Sequence, residues 1–259
     1  MSNLTLIAGP CAVENEETPF LVANTVKEIC DRLGGIDFIF KASWKKANRT
    51  RLDSFTGIDR QDALDILKRV RDELGLPVIT DIHESHEAAL VADYVTHLQI
   101  PAFLCRQTDL LMAAGATGLP VGVKKGQFVS PEMMQHAVTK IKAGGGSDVF
   151  LMERGTTFGY KNLVVDFTSL PKMREYAPVF LDCTHCLQEP NQAHGVTGGN
   201  PAMIGHMVNA AVAVGVDGLF IETHPDPASA GSDSATQLQL DQLERILERA
   251  MRVREAASS

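Results

Sequence analysis

Eight short apolar runs, each closing on a polar or charged residue, constrain this chain more than any other feature. The runs are Leu4 to Ala8, Phe38 to Phe40, Val78 to Thr80, His97 to Ile100, Pro120 to Val123, Val149 to Met152, Val179 to Leu181 and Leu219 to Ile221. At or just past their ends stand Cys11, Lys41, Asp81, Gln99, Lys124, Arg154, His185 and Glu222. The runs are rich in Val, Ile, Leu and Phe without clean polar alternation, which suits parallel strands covered on both faces. Helical spacing falls between most of them: Met134, Ala137, Val138 and Ile141 keep one face, as do Leu243, Ile246, Leu247 and Ala250, and Leu67, Val70 and Leu74 suggest another. Eight strand–helix units predict an α/β fold, a (β/α)8 TIM barrel of about 250 residues with reactive side chains at the C-terminal strand ends. An open doubly wound sheet is the main rival.

At 259 residues and 44% hydrophobic content the chain can bury one large core, and no composition break divides it, so residues 1–259 are read as a single barrel domain. No apolar run approaches the ~20 residues that span a bilayer, and the first residues lack a leader pattern, so the expectation is a soluble, cytoplasmic protein with no membrane partner. Five cysteines, an odd number, argue for reduced thiols rather than a disulfide framework. A net charge of −8 argues against a nucleic-acid surface, so any anion site must be local.

Such a site is readable. Lys41, Lys124 and Arg154 end three different strands, and a barrel brings strand ends together. An Arg fork matches phosphate oxygens and Lys adds a compact charge, so the set suits one or two phosphorylated substrates. The bland alternative pairs each cation with a carboxylate such as Asp81 or Glu153. Gly155-Thr156-Thr157 could add backbone amides to an anion nest, whereas Gly144-Gly145-Gly146 is more simply a helix exit.

A second group lies at or after strands one, seven and eight: Cys11, His185, Glu222 and Asp233. The first and last strands are neighbours in a closed barrel, so one divalent metal could meet all four. Thiolate, imidazole and carboxylate together suit zinc or iron(II), with manganese as a third choice. Strand alternation puts Cys183 and His185 on one side and Cys186 on the other, against a Cys183–Cys186 pair. His224 and Asp226 could hydrogen-bond the ligands or substrate, or simply belong to a proline-set loop. His83 follows Asp81 and Ile82 closely, with either reading open, and His86, His136, His194 and His206 have no context that assigns a role.

Four segments carry a resemblance: Ile7 to Cys11, Lys46-Ala47-Asn48-Arg49-Thr50, Gln99 to Leu111, and Glu153-Arg154-Gly155-Thr156-Thr157-Phe158-Gly159-Tyr160. From about Leu6 to the final helix the chain resembles the 3-deoxy-D-manno-octulosonate 8-phosphate synthases. The Lys-Ala-Asn-Arg motif and the Gln99 to Leu111 segment separate it from the related 3-deoxy-D-arabino-heptulosonate 7-phosphate synthases. The resemblance implies an aldol-like condensation of phosphoenolpyruvate with arabinose 5-phosphate, in lipopolysaccharide precursor synthesis. It implies that Lys41, Lys124 and Arg154 bind phosphoenolpyruvate with Gln99 nearby, and that Lys46 lies between the substrates. Asn48, Arg49 and Thr50 would bind arabinose 5-phosphate, and Arg106 would reach a neighbouring subunit's site in a homotetramer. The candidate catalytic set is Lys46, Asn48, Asp81, His185 and Asp233.

Cys11, together with Ser232-Asp233-Ser234-Ala235-Thr236-Gln237, resembles the metal-dependent branch, because the metal-independent enzymes carry Asn at that position. The chain departs from the family at Thr50, where Ser is common, at Asn200-Pro201, and at Arg51, an added charge. Three other readings stay open: the heptulosonate synthase, a metal-dependent barrel hydrolase, and a non-catalytic sugar-phosphate binding protein.

Overall fold

The computed structural model describes residues 2–48, 52–192 and 197–258. Eight parallel strands, β1 (Leu4–Gly9), β2 (Ile36–Lys41), β3 (Val78–Asp81), β4 (His97–Ile100), β5 (Val121–Lys124), β6 (Val149–Glu153), β7 (Val179–Asp182) and β8 (Gly218–His224), pair in chain order. The sheet closes where β1 pairs with β8, Thr5 opposite Gly218 and Gly9 opposite Glu222. That closure excludes the open doubly wound sheet. Six of these strands run one residue past their apolar runs and β8 runs three, while β4 stops with its run, so Lys41, Asp81 and Lys124 are strand residues.

Helices α1 (Glu17–Leu33), α2 (Arg60–Leu74), α3 (Glu87–Ala92), α4 (Thr108–Ala116), α5 (Met134–Ala143), α6 (Ser169–Arg174), α7 (Ile204–Val214) and α8 (Leu243–Ala257) follow the strands in turn. The predicted faces are the buried ones: Met134, Ala137, Val138 and Ile141 in α5, and Leu243, Leu247 and Ala250 in α8. Helix α2 shows how local chemistry sets an element. Asp59 accepts the amides of Gln61 and Asp62, a cap worth about 1 kcal/mol, and Gly75 ends the helix in the left-handed conformation.

Side-chain parity divides the core in two. Leu4, Leu6, Phe38, Phe40, Val121, Val123, Val149, Leu151, Leu219 and Ile221 pack in the layer shared with the helices. Ile7, Ile39, Ile79, Phe150, Met152, Phe180 and Phe220 form a separate cluster inside the barrel. Phe150 and Phe180 stack there at 4.7 Å, and no Cβ fits at Gly122 or Gly218 because these rings occupy its place. Because successive strand side chains alternate, the residue two beyond each inward apolar one also points into the barrel.

Candidate active site

That parity builds the site. Ile39 leads to Lys41, Ile79 to Asp81, Gly122 to Lys124, Met152 to Arg154, Phe180 to Asp182 and Phe220 to Glu222. Lys41, Lys46, Asp81, Gln99, Lys124, Arg154, His185, Glu222 and Asp233 line one cavity of about 460 Å³ above the apolar plug. Lys41 Nζ donates to Glu222 Oε1 at 2.8 Å and to the Cys11 carbonyl at 3.0 Å. Lys124 Nζ donates to Asp182 Oδ2 at 2.6 Å and sits 3.6 Å from the centre of the Phe220 ring. Lys41 and Lys124 therefore pair with Glu222 and Asp182, not with Asp81 or Glu153.

Burial lowers the Lys124 and Arg154 pKa values, against the pull of Asp182 on both. Asp182 is held far below the usual carboxylate range, because the charges of His185 and Lys124 outweigh its burial. Arg154 donates through Nη2 to Gln188, while its buried Nη1 has no hydrogen-bond partner among the described residues. Its backbone is fixed from beneath: Glu153 Oε1 accepts the amides of Arg154 and Gly155 at 2.9 and 2.7 Å. Those amides are thus spent, and the Thr157 amide goes to the Gln127 carbonyl, so Gly155-Thr156-Thr157 does not form the anion nest its composition suggested.

Asp81 accepts from Ser43 Oγ and Gln99 Nε2 and stays well below the usual carboxylate range, because Lys41 and Lys46 outweigh its burial. Lys46 Nζ donates to Ser43 Oγ at 3.1 Å. Its pKa is raised: burial opposes the charge, but the anions around it, Glu222, Asp81 and Asp233 among them, prevail.

Next to this cationic half, Cys11, Glu222 and Asp233 offer donor atoms all within 4.8 Å of one another. His185 Nε2 lies 3.5 Å from Glu222 Oε2 and 3.8 Å from Asp233 Oδ2. Asp182 Oδ2 faces His185 Nδ1 at 2.8 Å, which assigns a proton to Nδ1 and turns Nε2 toward the carboxylates, where a bound cation would take the place of the second ring proton. Glu222 Oε2 is buried without a hydrogen-bond partner among the described residues. An orphaned carboxylate oxygen among a thiol, an imidazole and a second carboxylate fits a divalent cation. Burial, then Glu222, pushes the Cys11 thiol far up, which a coordinated cation would reverse. Asp233 adopts φ +48°, held by a turn in which its carbonyl accepts the Thr236 amide at 3.0 Å.

A model of the DAHP synthetase I family matches residues 2–258. The chain belongs to the DAHP synthetase I family. It is 50% identical over 252 residues to a protein of Cyanothece sp. named 2-dehydro-3-deoxyphosphooctonate aldolase, covering 97% of this chain and 92% of that relative. A Koribacter versatilis protein of the same name is 50% identical over 258 residues (98% and 92%), and one from Desulfotalea psychrophila 48% over 254 residues (98% and 90%).

In this member of the DAHP synthetase I family, other sequence-marked residues take different places. Asn48 is exposed on the cavity rim, whereas Arg49, Thr50, Arg51 and His194 lie outside the described residues. Arg106 is exposed and does not line the cavity of its own chain. Cys183 and His185 do not share a side. Strand β7 ends at Asp182, so Cys183 packs against the helices while a 3₁₀ turn over His185–Leu187 rotates the imidazole inward. Cys183 and Cys186 are free thiols. His224 and Asp226 bind each other, the Asp226 amide to His224 Nδ1 at 3.0 Å, instead of the cavity. Among the described residues no helix is long and apolar enough to cross a membrane.

Sequence reading passed over Asp182, Ser43 and Glu87, and gave Gln237 no role of its own within the Ser232 to Gln237 segment. Glu87 opens α3 and binds Lys45 Nζ and the His83 amide, so His83 rests against a carboxylate while it lines the cavity. Burial raises the Glu87 pKa, but those hydrogen bonds bring it from 4.5 down to about 2. A depressed carboxylate stabilises the fold above its unfolded pKa, and that contribution disappears as pH falls through the folded one. Denaturant titrations between pH 5 and about 2 are expected to show wild type losing stability more steeply than Glu87→Gln; parallel curves would refute the assignment.

Proposed function

We propose that this chain condenses phosphoenolpyruvate with D-arabinose 5-phosphate and water to give 3-deoxy-D-manno-octulosonate 8-phosphate and inorganic phosphate. The observation that carries the reading is the convergence of Lys41, Lys124 and Arg154 beside the Cys11, Glu222 and Asp233 donor group. A barrel hydrolase has less reason to gather three buried cations there. The names of the half-identical relatives favour the octulosonate product over the heptulosonate one, which the family alone does not separate.

In this reading Lys124 and the unpaired Nη1 of Arg154 take the anionic oxygens of phosphoenolpyruvate, with Lys41 behind them and Gln99 alongside. Arabinose 5-phosphate enters past Asn48, with Arg49 and Thr50 on its phosphate, which puts Lys46 between the two substrates. Carbon three of phosphoenolpyruvate attacks the aldehyde carbon while water adds at carbon two. The aldehyde oxygen gains a proton, the water loses one, and the resulting hemiketal phosphate expels phosphate. Fixing both phosphates removes translational freedom before reaction, and Lys46 stabilises the charge that develops between them. Asp81, fixed by Ser43 and Gln99, sits at the same junction as a proton acceptor. Cys11, His185, Glu222 and Asp233 would hold iron(II), zinc or manganese, which supplies Lewis-acid polarisation when bound. The same reading places the protein in the cytoplasm, feeding lipopolysaccharide precursor synthesis, as a homotetramer in which the exposed Arg106 completes a neighbour's site.

The test is phosphate release with each aldehyde. Turnover is expected to be faster with arabinose 5-phosphate than with erythrose 4-phosphate, to fall on chelation and to return on metal add-back. Faster turnover with erythrose 4-phosphate, or no release with either, would overturn the proposal.

A further inference from the structure

The donor group is assembled from two segments with no covalent reason to stay in register: Cys11 follows β1, and Asp233 sits in the long loop after β8. One buried side chain joins them. Gln237 Oε1 accepts the Cys11 amide at 3.1 Å, and Gln237 Nε2 donates to the Ser232 carbonyl at 3.0 Å. The direction of this amide is fixed by its partners, since a backbone N–H only donates and a carbonyl only accepts, so flipping it would break both contacts.

Gln237 is itself anchored. The next residue, Leu238, begins a short strand that pairs with β8 opposite Thr223, and Thr223 Oγ1 donates to the Leu238 carbonyl at 2.9 Å. The barrel wall therefore carries the amide, and the amide carries both donor-bearing backbones. The side chains it aligns are already close: Cys11 Sγ lies 3.3 Å from Ser232 Oγ and 3.4 Å from Asp233 Oδ2.

We propose that Gln237 is a positioning residue for the cation, setting the span between the Cys11 thiol and the Asp233 carboxylate. The inference rests on the metal reading above, applied to a residue that touches neither the cation nor the substrates. Groups that orient metal ligands at one remove are worth on the order of tenfold to a hundredfold in metal affinity. Gln237→Met keeps the size of the side chain and loses both hydrogen bonds.

The experiment titrates cobalt(II) into chelated full-length protein while following the thiolate-to-cobalt charge-transfer band, with thermal unfolding of the metal-free proteins measured alongside. Gln237→Met is expected to unfold at a modestly lower temperature than wild type when metal-free, because the buried Cys11 amide loses its acceptor, and to bind cobalt about tenfold to a hundredfold more weakly with an altered band. Wild-type affinity and band shape in that variant would overturn the proposal while leaving the metal reading intact. A wild-type protein with no charge-transfer band would overturn both. If Gln237→Met does not fold, Gln237→Asn decides: it keeps the amide but is one methylene short of the span, so the same loss is expected, and wild-type affinity overturns the proposal.

Discussion

Lys124→Met is expected to lower the rate of phosphate release by about 10²- to 10³-fold, the usual cost of removing one preorganised charge from a reacting centre. It is also expected to destabilise the fold by about 3–5 kcal/mol, because it leaves a buried anion without its partner. Both effects come from one geometry. The ammonium lies 2.6 Å from Asp182 Oδ2 and over the Phe220 ring, with Asp182 fully buried. His185 Nδ1 and the Thr184 and His185 amides still face Asp182 in the variant, so the loss belongs at the lower end of that range. The two roles separate in a second variant. Lys124→Met with Asp182→Asn removes the orphaned charge, so stability to urea is expected to return in large part while activity does not. Recovery of turnover in the double variant would show that Lys124 serves the fold alone. Unchanged turnover in the single variant would remove it from the substrate-binding set.

The alternation that places Lys124 also explains how far the sequence could be read. The apolar runs locate all eight strands, because a strand buried on both faces leaves a continuous hydrophobic trace. The same trace hides which face is which, and only the split between the inner plug and the outer layer resolves it. Once it is resolved, Asp182 follows: it stands two residues beyond Phe180, as Glu222 does beyond Phe220. It was eclipsed by His185, whose place depends on a 3₁₀ turn with no comparable signature. Ser43, Glu87 and Gln237 act through pairings across 38, 42 and 226 positions, and no local pattern of hydropathy encodes those. The wrong expectations share a cause too. Cys183 was placed by extending strand alternation past the strand's end, and the Gly155 nest by composition, without knowing that Glu153 takes its amides.

If Cys11 holds the cation as proposed, Cys11→Ala is expected to lose bound metal on dialysis and to retain less than about a hundredth of the wild-type rate, because a direct ligand should matter at least as much as the groups that orient it. The thiol is the one soft donor of the group, and without it His185, Glu222 and Asp233 form a set better suited to manganese than to zinc. Affinity for zinc is therefore expected to fall further than affinity for manganese, and added manganese is expected to restore more activity than added zinc. The phosphoenolpyruvate end should be spared. Lys41 reaches Cys11 through its backbone carbonyl, a contact the substitution leaves intact, and its partner oxygen is Glu222 Oε1 while Oε2 faces the donor group. The KM for phosphoenolpyruvate is thus expected to stay within about threefold of wild type while kcat collapses, the signature of an interaction made at the reacting centre rather than in substrate capture. Glu222→Gln supplies the contrast. It weakens both halves at once, since the same carboxylate neutralises Lys41 and offers its second oxygen to the cation, and KM and kcat should move together. Wild-type metal content and rate in Cys11→Ala would remove Cys11 from the ligand set. A rise in KM equal to the loss in kcat would show that the two halves of the site are not separable at Cys11.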